Sequence, residues 1–238
     1  MAEKKWNPEN KRYDFYRVGM LGNECIVNGD IRRYFLSENQ SHYPEPASGC
    51  GPTALLNLYI WYTKFGLIQE SIRHSDPARY KQLKFQEIDR RIAELQGQAR
   101  SPTTGTNTLE QVLAIDEIVQ SSHSRAPVRI HFEYKQAPLT IRDFIELSRN
   151  YRAGILSVRP KDSQTGTLMS HHAVLVIRGD TSGKISIANW GQFSHGRLVA
   201  KSDGQWFIPD TPDQHELLIN QLTTLIPFIP THTSTSPH

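Results

Sequence analysis

The sequence predicts an α+β protein with a mostly helical first half and an antiparallel sheet in its second half. Up to about residue 125, apolar residues recur at the spacing of helices, and from Val128 the spacing shortens to that of strands. The 238 residues fit one large domain better than two independent ones. We predict a single domain over residues 1–226, with a helical lobe at about 38–125 and a sheet lobe at about 126–210.

Composition and charge exclude several classes of protein. No apolar run approaches the roughly 20 residues of a membrane span, and 37% hydrophobic with 21% charged residues is typical of a globular chain. The formal net charge of +3 comes from nearly balanced acids and bases, so nucleic acid is not expected as a partner. Residues 1–12 lack the apolar stretch of a secretory signal. We therefore expect a cytoplasmic protein, or one exported without a conventional signal peptide.

One helix is predicted to be buried on all sides. Pro52 stands where its first turn would lie and Gly66 just past its end, which are the usual positions of these residue types. Between them, apolar residues cover nearly the whole circumference, and such a helix belongs in a core. Residues 37–49 before it are expected to form a loop, and the Asn-Gly pair at 28–29 predicts a hairpin further upstream.

The remaining elements complete the two predicted lobes. Helices are expected at residues 85–96, 108–120 and 140–149. The last two start with the capping-box patterns Thr108-Leu-Glu-Gln111 and Thr140-Ile-Arg-Asp143. Strands are expected at residues 128–134, 154–159, 171–177, 184–190 and 205–208. Residues 215–225 are expected to form a short helix, and residues 227–238, rich in Thr, Ser and Pro, a disordered tail.

The strongest local feature is Cys50, which stands between two glycines at the start of the buried helix. Free backbone N–H groups and the helix dipole at such a position favour a thiolate. The same N–H groups can stabilise the charge that develops on an attacked carbonyl oxygen. This pattern indicates a nucleophile, and the alternative is an inert cysteine buried at a helix start. With Cys25, which we expect to be structural, the chain has two cysteines, so a disulfide framework is excluded.

A thiol nucleophile needs a base, and His172 is the candidate. Residues 171–177 and 184–190 read as two strands joined by a six-residue turn. If the hairpin is symmetric about that turn, Ile177 faces Lys184 and His172 lies directly opposite Asn189. The asparagine oxygen could then hold one imidazole N–H and leave the other ring nitrogen for the thiol. A slip of one residue would break this pairing, because it moves every side chain to the other face.

Neighbouring histidines offer competing interpretations. His171 would face Trp190 and point away from Cys50 if His172 points toward it. A metal site formed by His171, His172 and His195 is a second alternative. The chain shows neither His-x-x-x-His on a helix nor paired Cys-x-x-Cys, so we expect no metal and no cofactor.

Three short stretches of the sequence are Cys50-Gly51-Pro52, His172-Ala173-Val174 and Asn189-Trp190-Gly191. In these stretches the chain resembles the papain-like cysteine peptidases, and bacterial C39-like peptidases most closely. The resemblance runs from Gln40 to Gly191 in order and spacing. It implies a papain-like fold in which the buried central helix starts at the nucleophile, and a catalytic triad of cysteine, histidine and asparagine.

Two features depart from the family pattern. The family places an oxyanion-hole glutamine about six residues before the cysteine, where this chain has Pro44. Gln40, ten residues upstream of Cys50, is the nearest candidate and would need a loop that folds back. The chain also lacks the serine of the family's Asn-Ser-Trp-Gly, so alignment on Trp190 would shift Asn189 by one position.

The resemblance implies a thiol hydrolase that cleaves a peptide or isopeptide bond in a protein or peptide substrate, including the case of a secreted bacterial effector. Two alternatives stay open. The first is acyl transfer, transpeptidation or glutamine deamidation through the same residues, because one fold hosts several reactions. The second is a non-catalytic binding module that keeps the fold without a competent oxyanion hole.

Overall fold

The structure is a computed structural model. It describes residues 5–7, 12–14, 40–44, 46–64, 77–97, 105–121, 129–148, 152–189, 192–202, 206–208 and 215–228. Cys25, the predicted hairpin around residues 28–29 and Trp190 lie outside these residues. None of the helices in the described part of the chain is long and apolar enough to cross a membrane.

The described elements confirm the α+β class, with the three long helices before residue 122 and the strands of a large antiparallel sheet after it. The helices are α1 (Cys50–Lys64), α2 (Pro77–Gln96), α3 (Thr108–Ser121) and α4 (Ile141–Ile145). The strands are β1 (Lys5–Asn7), β2 (Arg12–Asp14), β3 (Arg129–Gln136), β4 (Ala153–Asp162), β5 (His172–Gly179), β6 (Lys184–Asn189), β7 (Gln192–Arg197), β8 (Val199–Ala200), β9 (Trp206–Ile208) and β10 (His215–Phe228). Short 3-10 helices cover Gln40–His42, Pro46–Ser48 and Glu146–Ser148.

Eight of these strands form one antiparallel sheet, in which seven follow the order β7-β6-β5-β4-β10-β9-β8 and the eighth, β3, pairs with β10. Strand β10 pairs with β4 along one edge. Along its other edge it pairs with β9 near its start and with β3 toward its end. The last strand in the sequence therefore lies in the middle of the sheet. Strands β1 and β2 pair with each other.

The two faces of the sheet carry separate apolar clusters. One cluster joins α1, α2 and α3 to the sheet through side chains such as Ile155 and Leu175. The other packs Phe144 of α4 and Leu147 against residues of the opposite face, including Val174. The sheet is thus covered on both sides, which explains why strands β4, β5 and β6 read as nearly continuous apolar runs.

Helix α1 is buried on all sides, as its sequence predicts. Every residue from Gly51 to Tyr62 is buried. The hydroxyl of Tyr62 donates a hydrogen bond to the carbonyl of Leu225, at 3.3 Å, and thereby ties the helix to β10. This burial fixes the direction in which the start of α1, with Cys50, points.

The prediction of a short helix at residues 215–225 was wrong, because this segment is part of strand β10. A β-bulge lies between Ile219 and Gln221 and inserts one extra residue into the ladder with β4. The bulge sets Ile219 and Leu222, which belong to the same apolar cluster, three residues apart. Leu225, which belongs to the cluster on the other face, continues this three-residue spacing, and the pattern imitates a helix. The strand also extends through Pro227 and Phe228, which pair with β3, so the predicted tail starts too early and the predicted sheet lobe ends too early.

Other boundaries differ by smaller amounts. Helix α2 begins at Pro77 rather than at residue 85, and the helix predicted at residues 140–149 is α4 followed by a 3-10 turn. The cap of α3 is formed by Asn107 rather than Thr108: its side chain accepts from the Glu110 N–H at 2.9 Å, and Glu110 accepts from the Asn107 N–H at 2.9 Å. Strands β7 and β8 were not predicted.

The second predicted capping box is present. The Asp143 carboxylate accepts hydrogen bonds from the backbone N–H of Thr140, at 2.7 Å, and from its hydroxyl, at 2.9 Å. These bonds and the nearby ammonium group of Lys135 outweigh partial burial, so the pKa of Asp143 lies below its usual value.

Candidate active site

Cys50 is the first residue of helix α1 and is partly exposed, whereas the next twelve residues are buried. The preceding Ser48 and Gly49 are also buried, and the Gly49 carbonyl accepts the first helical hydrogen bond, from the Thr53 N–H at 3.0 Å. The thiol therefore lies at a helix N-terminus, where N–H groups without helical partners favour negative charge.

His172 and Asn189 are in direct contact at the ends of β5 and β6. The Nε2 atom of His172 lies 2.6 Å from the Oδ1 atom of Asn189, and both side chains are buried. Because an amide oxygen only accepts, Nε2 carries the proton and donates it. Nδ1 is then the basic nitrogen of the ring. The predicted contact between this pair is confirmed.

The predicted register of this hairpin was nevertheless wrong. Leu175 pairs with Ala188, two residues further along β6 than the symmetric turn predicts, and a bulge follows between Val176 and Arg178. Carrying the register one residue further puts Val174 opposite Asn189, with His172 as a diagonal neighbour. A shift of two residues keeps the same faces together, and a diagonal pair is still within reach of a histidine side chain.

Burial determines the charge of His172. It is 9% exposed, and desolvation lowers the pKa of His172 to about 4, although the hydrogen bond to Asn189 acts in the opposite direction. The value of about 4 includes a smaller lowering of the pKa by the charge of His215. At neutral pH the imidazole is therefore uncharged, which is the form that can accept a proton.

Gln40 and Cys50 line one small pocket although they stand ten residues apart in the sequence. The loop between them contains the two 3-10 turns Gln40–His42 and Pro46–Ser48. Between the turns, the ring of Tyr43 stacks on Phe85 of α2, with centroids 4.1 Å apart and planes 8° from parallel. These contacts fold the loop back, as Gln40 requires, and the position six residues before the cysteine, Pro44, is exposed.

One small pocket brings together the four residues that the sequence predicts. Its lining includes Cys50, His172, Asn189 and Gln40. We call it the rear pocket. Thr53, Asn57 and three alanines complete its lining.

A larger cleft of about 510 Å³ also opens at Cys50 and His172, and its size is within the usual range for ligand sites. Its walls come from the start of α3 and from strands β3, β4, β5 and β10. Gln221, which follows the bulge in β10, donates a hydrogen bond to the Thr108 hydroxyl at 2.5 Å and so joins the two walls. Among the described residues that line this cleft, none carries a carboxylate, an ammonium or a guanidinium group.

Two further histidines that the sequence offered as alternatives, His171 and His195, are described by the structure. His171 is exposed and lines the cleft together with Cys50, although we expected it to point away from the thiol. His195 lies on β7, where its Nδ1 is 2.9 Å from the Ser186 hydroxyl. Within the described ranges, no three His, Cys, Asp or Glu side chains are grouped so that they could hold a metal ion.

Sequence reasoning missed two polar residues of the rear pocket, Thr53 and Asn57. Both are buried, at 6% and 2% exposure. They stand three and seven residues after Cys50, the spacing that puts side chains on one face of a helix. Two polar residues at this spacing in an otherwise apolar helix were a signal that could have identified them.

Comparison of the sequence with protein-family models gave no match. No curated protein sequence matches it either.

Proposed function

We propose that this chain is a papain-like thiol hydrolase that cleaves a peptide or isopeptide bond, with Cys50 as nucleophile, His172 as base and Asn189 as the residue that orients His172. The observation that carries the proposal is the rear pocket, where a helix-start thiol meets a buried, neutral imidazole bonded to an asparagine. A nucleophile, a base and a group that orients the base are the minimum for covalent catalysis of this type.

In the proposed reaction, Nδ1 of His172 takes the thiol proton and the Cys50 sulfur attacks the substrate carbonyl carbon. The backbone N–H groups at the start of α1 and the Gln40 side-chain amide stabilise the oxyanion. The C–N bond then breaks as His172 returns the proton to the leaving amine. Water, deprotonated by His172, attacks the thioester, the C–S bond breaks, and the acid product leaves.

The position of Gln40 bears on the non-catalytic alternative. That alternative arose because the glutamine is displaced along the sequence relative to the family pattern. Gln40 lines the rear pocket with Cys50, so displacement along the chain no longer favours a binding module. Transfer and deamidation would use the same acyl-enzyme, and whether the protein is cytoplasmic or an exported effector stays a prediction.

Alkylation of Cys50 tests the proposal without a known substrate. We expect Cys50, in a Cys25→Ser background, to react with iodoacetamide at pH 6 at least tenfold faster than free cysteine, because the neutral imidazole of His172 can take the thiol proton as the sulfur attacks. His172→Ala should abolish this excess. His171→Ala is the matched control, since it removes the adjacent, exposed histidine of the same cleft.

Reaction at the rate of free cysteine, or equal effects of the two histidine substitutions, would contradict the proposal. Mass spectrometry of a candidate protein after incubation with this chain distinguishes hydrolysis from transfer and from deamidation. New termini indicate hydrolysis, an adduct with an added amine indicates transfer, and a gain of about one dalton per glutamine indicates deamidation.

A further inference from the structure

The buried hydroxyl of Thr53 is the starting point. Thr53 is 6% exposed, and its Oγ1 atom is buried without a hydrogen-bond partner among the described residues. Buried polar groups are normally satisfied by protein or by ordered water. This hydroxyl lines the rear pocket, so its partner is to be sought there.

The dimensions and chemistry of the rear pocket fit one water molecule. Its volume is about 10 Å³, which is close to the space that one buried water needs. The side chains of Thr53, Asn57, Gln40 and Asn189 offer hydroxyl and amide groups on its walls. A buried water commonly makes about three hydrogen bonds, and these walls can supply them.

Thr53 and Asn57 differ from Gln40 in burial and in the element that carries them. Both lie on α1, whose residues from Gly51 to Tyr62 are all buried. Gln40 is only partly buried and lies in the 3-10 turn of the loop before the helix. An oxyanion donor works only if its orientation is set before the reaction. A link from the helix to the Gln40 amide would provide that orientation.

We propose that Thr53 and Asn57 are positioning residues, which orient the Gln40 amide through one water molecule bound in the rear pocket. The inference rests on the proposed function. The water accepts from or donates to the Thr53 hydroxyl and the side-chain amide of Asn57. It donates to the side-chain oxygen Oε1 of Gln40. The Gln40 NH₂ group is thereby directed to the substrate oxyanion.

Two reactions of Cys50 separate this role from a general structural one. Acylation by p-nitrophenyl acetate passes through an oxyanion, whereas alkylation by iodoacetamide does not. Thr53→Val keeps the shape of the side chain and removes the hydroxyl. We expect it to slow acylation roughly tenfold and to change alkylation less than twofold, since removal of a direct donor costs about a hundredfold or more.

Thr53→Ser, which keeps the hydroxyl, should restore most of the acylation rate. A double-mutant cycle identifies Gln40 as the residue acted upon: Gln40→Ala should slow acylation, and adding Thr53→Val to it should cause no further loss. Each variant is first checked for an unchanged thermal midpoint, and Thr53→Ala replaces Thr53→Val if the latter is unstable.

The outcomes are distinct. If Thr53→Val leaves acylation unchanged, slows both reactions equally, or adds its full effect to that of Gln40→Ala, the inference is wrong while the proposed function stands. An effect of Gln40→Ala too small to measure also overturns it. If wild-type Cys50 reacts no faster than free cysteine in either reaction, the proposed function fails and the inference fails with it.

Discussion

At the scale of single residues, His172 makes stability depend on pH. Burial holds its imidazole neutral in the folded protein, against the opposing effect of the hydrogen bond to Asn189, and the pKa of His172 is lowered to about 4, against about 6.5 in an unfolded chain. Because the folded state disfavours the proton, the stabilising contribution is complete above pH 6.5. It is lost as the pH falls from 6.5 toward 4.

As the pH falls from 7 to 4, we expect protonation of His172 to lower the free energy of unfolding by about 3 kcal/mol. Urea denaturation of the wild type and of His172→Gln at several pH values measures it. The variant should be less stable at pH 7, and the difference should shrink as the pH falls. Parallel pH profiles for the two proteins would contradict the expectation.

The site residues differ in how far the sequence alone could identify them. Cys50 could be identified from the sequence because a helix start is a local property, which the flanking glycines and Pro52 indicate. The contact of His172 with Asn189 was predicted from a register that proved wrong, and it survived because the error was an even number of residues. Gln40 came from a family resemblance alone.

The route of Gln40 to the thiol could not be predicted, because it depends on tertiary contacts. The stacking of Tyr43 on Phe85 joins the loop to a helical residue 42 positions away in sequence. Propensity and periodicity describe segments and do not report which segments meet. For the same reason the cleft residue Gln221, far along the chain, was not recognised.

At the scale of elements, the start of α1 is packed closely against the segment before α3. A Cβ atom on Gly51 would collide with the Thr106 hydroxyl and come within 3.0 Å of the Gln111 side-chain nitrogen. These two side chains are hydrogen-bonded to each other at 2.8 Å and line the cleft. The glycine after Cys50 is therefore required by space at this helix start.

Gly51→Ala should destabilise the protein by roughly 1–3 kcal/mol, the usual cost of overpacking a filled site. It should also slow alkylation of Cys50, because the displaced segment borders the thiol. Gly105→Ala is the matched control: that glycine lines the same cleft, yet a Cβ there meets nothing within 4 Å. Urea denaturation and alkylation rates compare the two variants, and equal losses would refute the packing argument.

Strand β10 was predicted as a helix although its residue types favour a strand. Its residues favour a strand, with Ile219, Thr223 and Thr224 all β-branched. The bulge at its centre interrupts the two-residue alternation, so periodicity indicated a helix. In contrast, α1 was predicted well, because continuous burial and its end signals agree. A pattern fails where one inserted residue changes its phase.

At the scale of the whole molecule, the cleft lies where α1 and α3 meet the sheet. The chain carries 27 basic and 24 acidic residues, yet the described lining of the cleft has none of them. A charged side chain entering the cleft would lose hydration without gaining a counter-charge from these residues. We therefore expect the cleft to accept neutral reagents and neutral peptide segments best.

A single negative charge introduced at Gln221 should make the cleft favour cationic reagents over anionic ones. Gln221→Glu conserves size, and the Thr108 hydroxyl can donate to the new carboxylate in place of the present bond. One charge close to the reacting thiol is worth about 1 kcal/mol, or roughly fivefold in rate. In a Cys25→Ser background, alkylation of Cys50 by cationic 2-bromoethylammonium should accelerate by about that factor, and alkylation by iodoacetate should slow.

Gln120→Glu separates this local effect from a change in net charge. Gln120 is exposed near the other end of α3, twelve residues from Thr108 and so about 18 Å along the helix, which exceeds the screening length at physiological salt. It should leave the ratio of the two charged reagents unchanged. Rates with neutral iodoacetamide normalise both variants. Because neither reagent depends on a known substrate, an unchanged ratio in Gln221→Glu would mean that ligands reach Cys50 by a path other than this cleft.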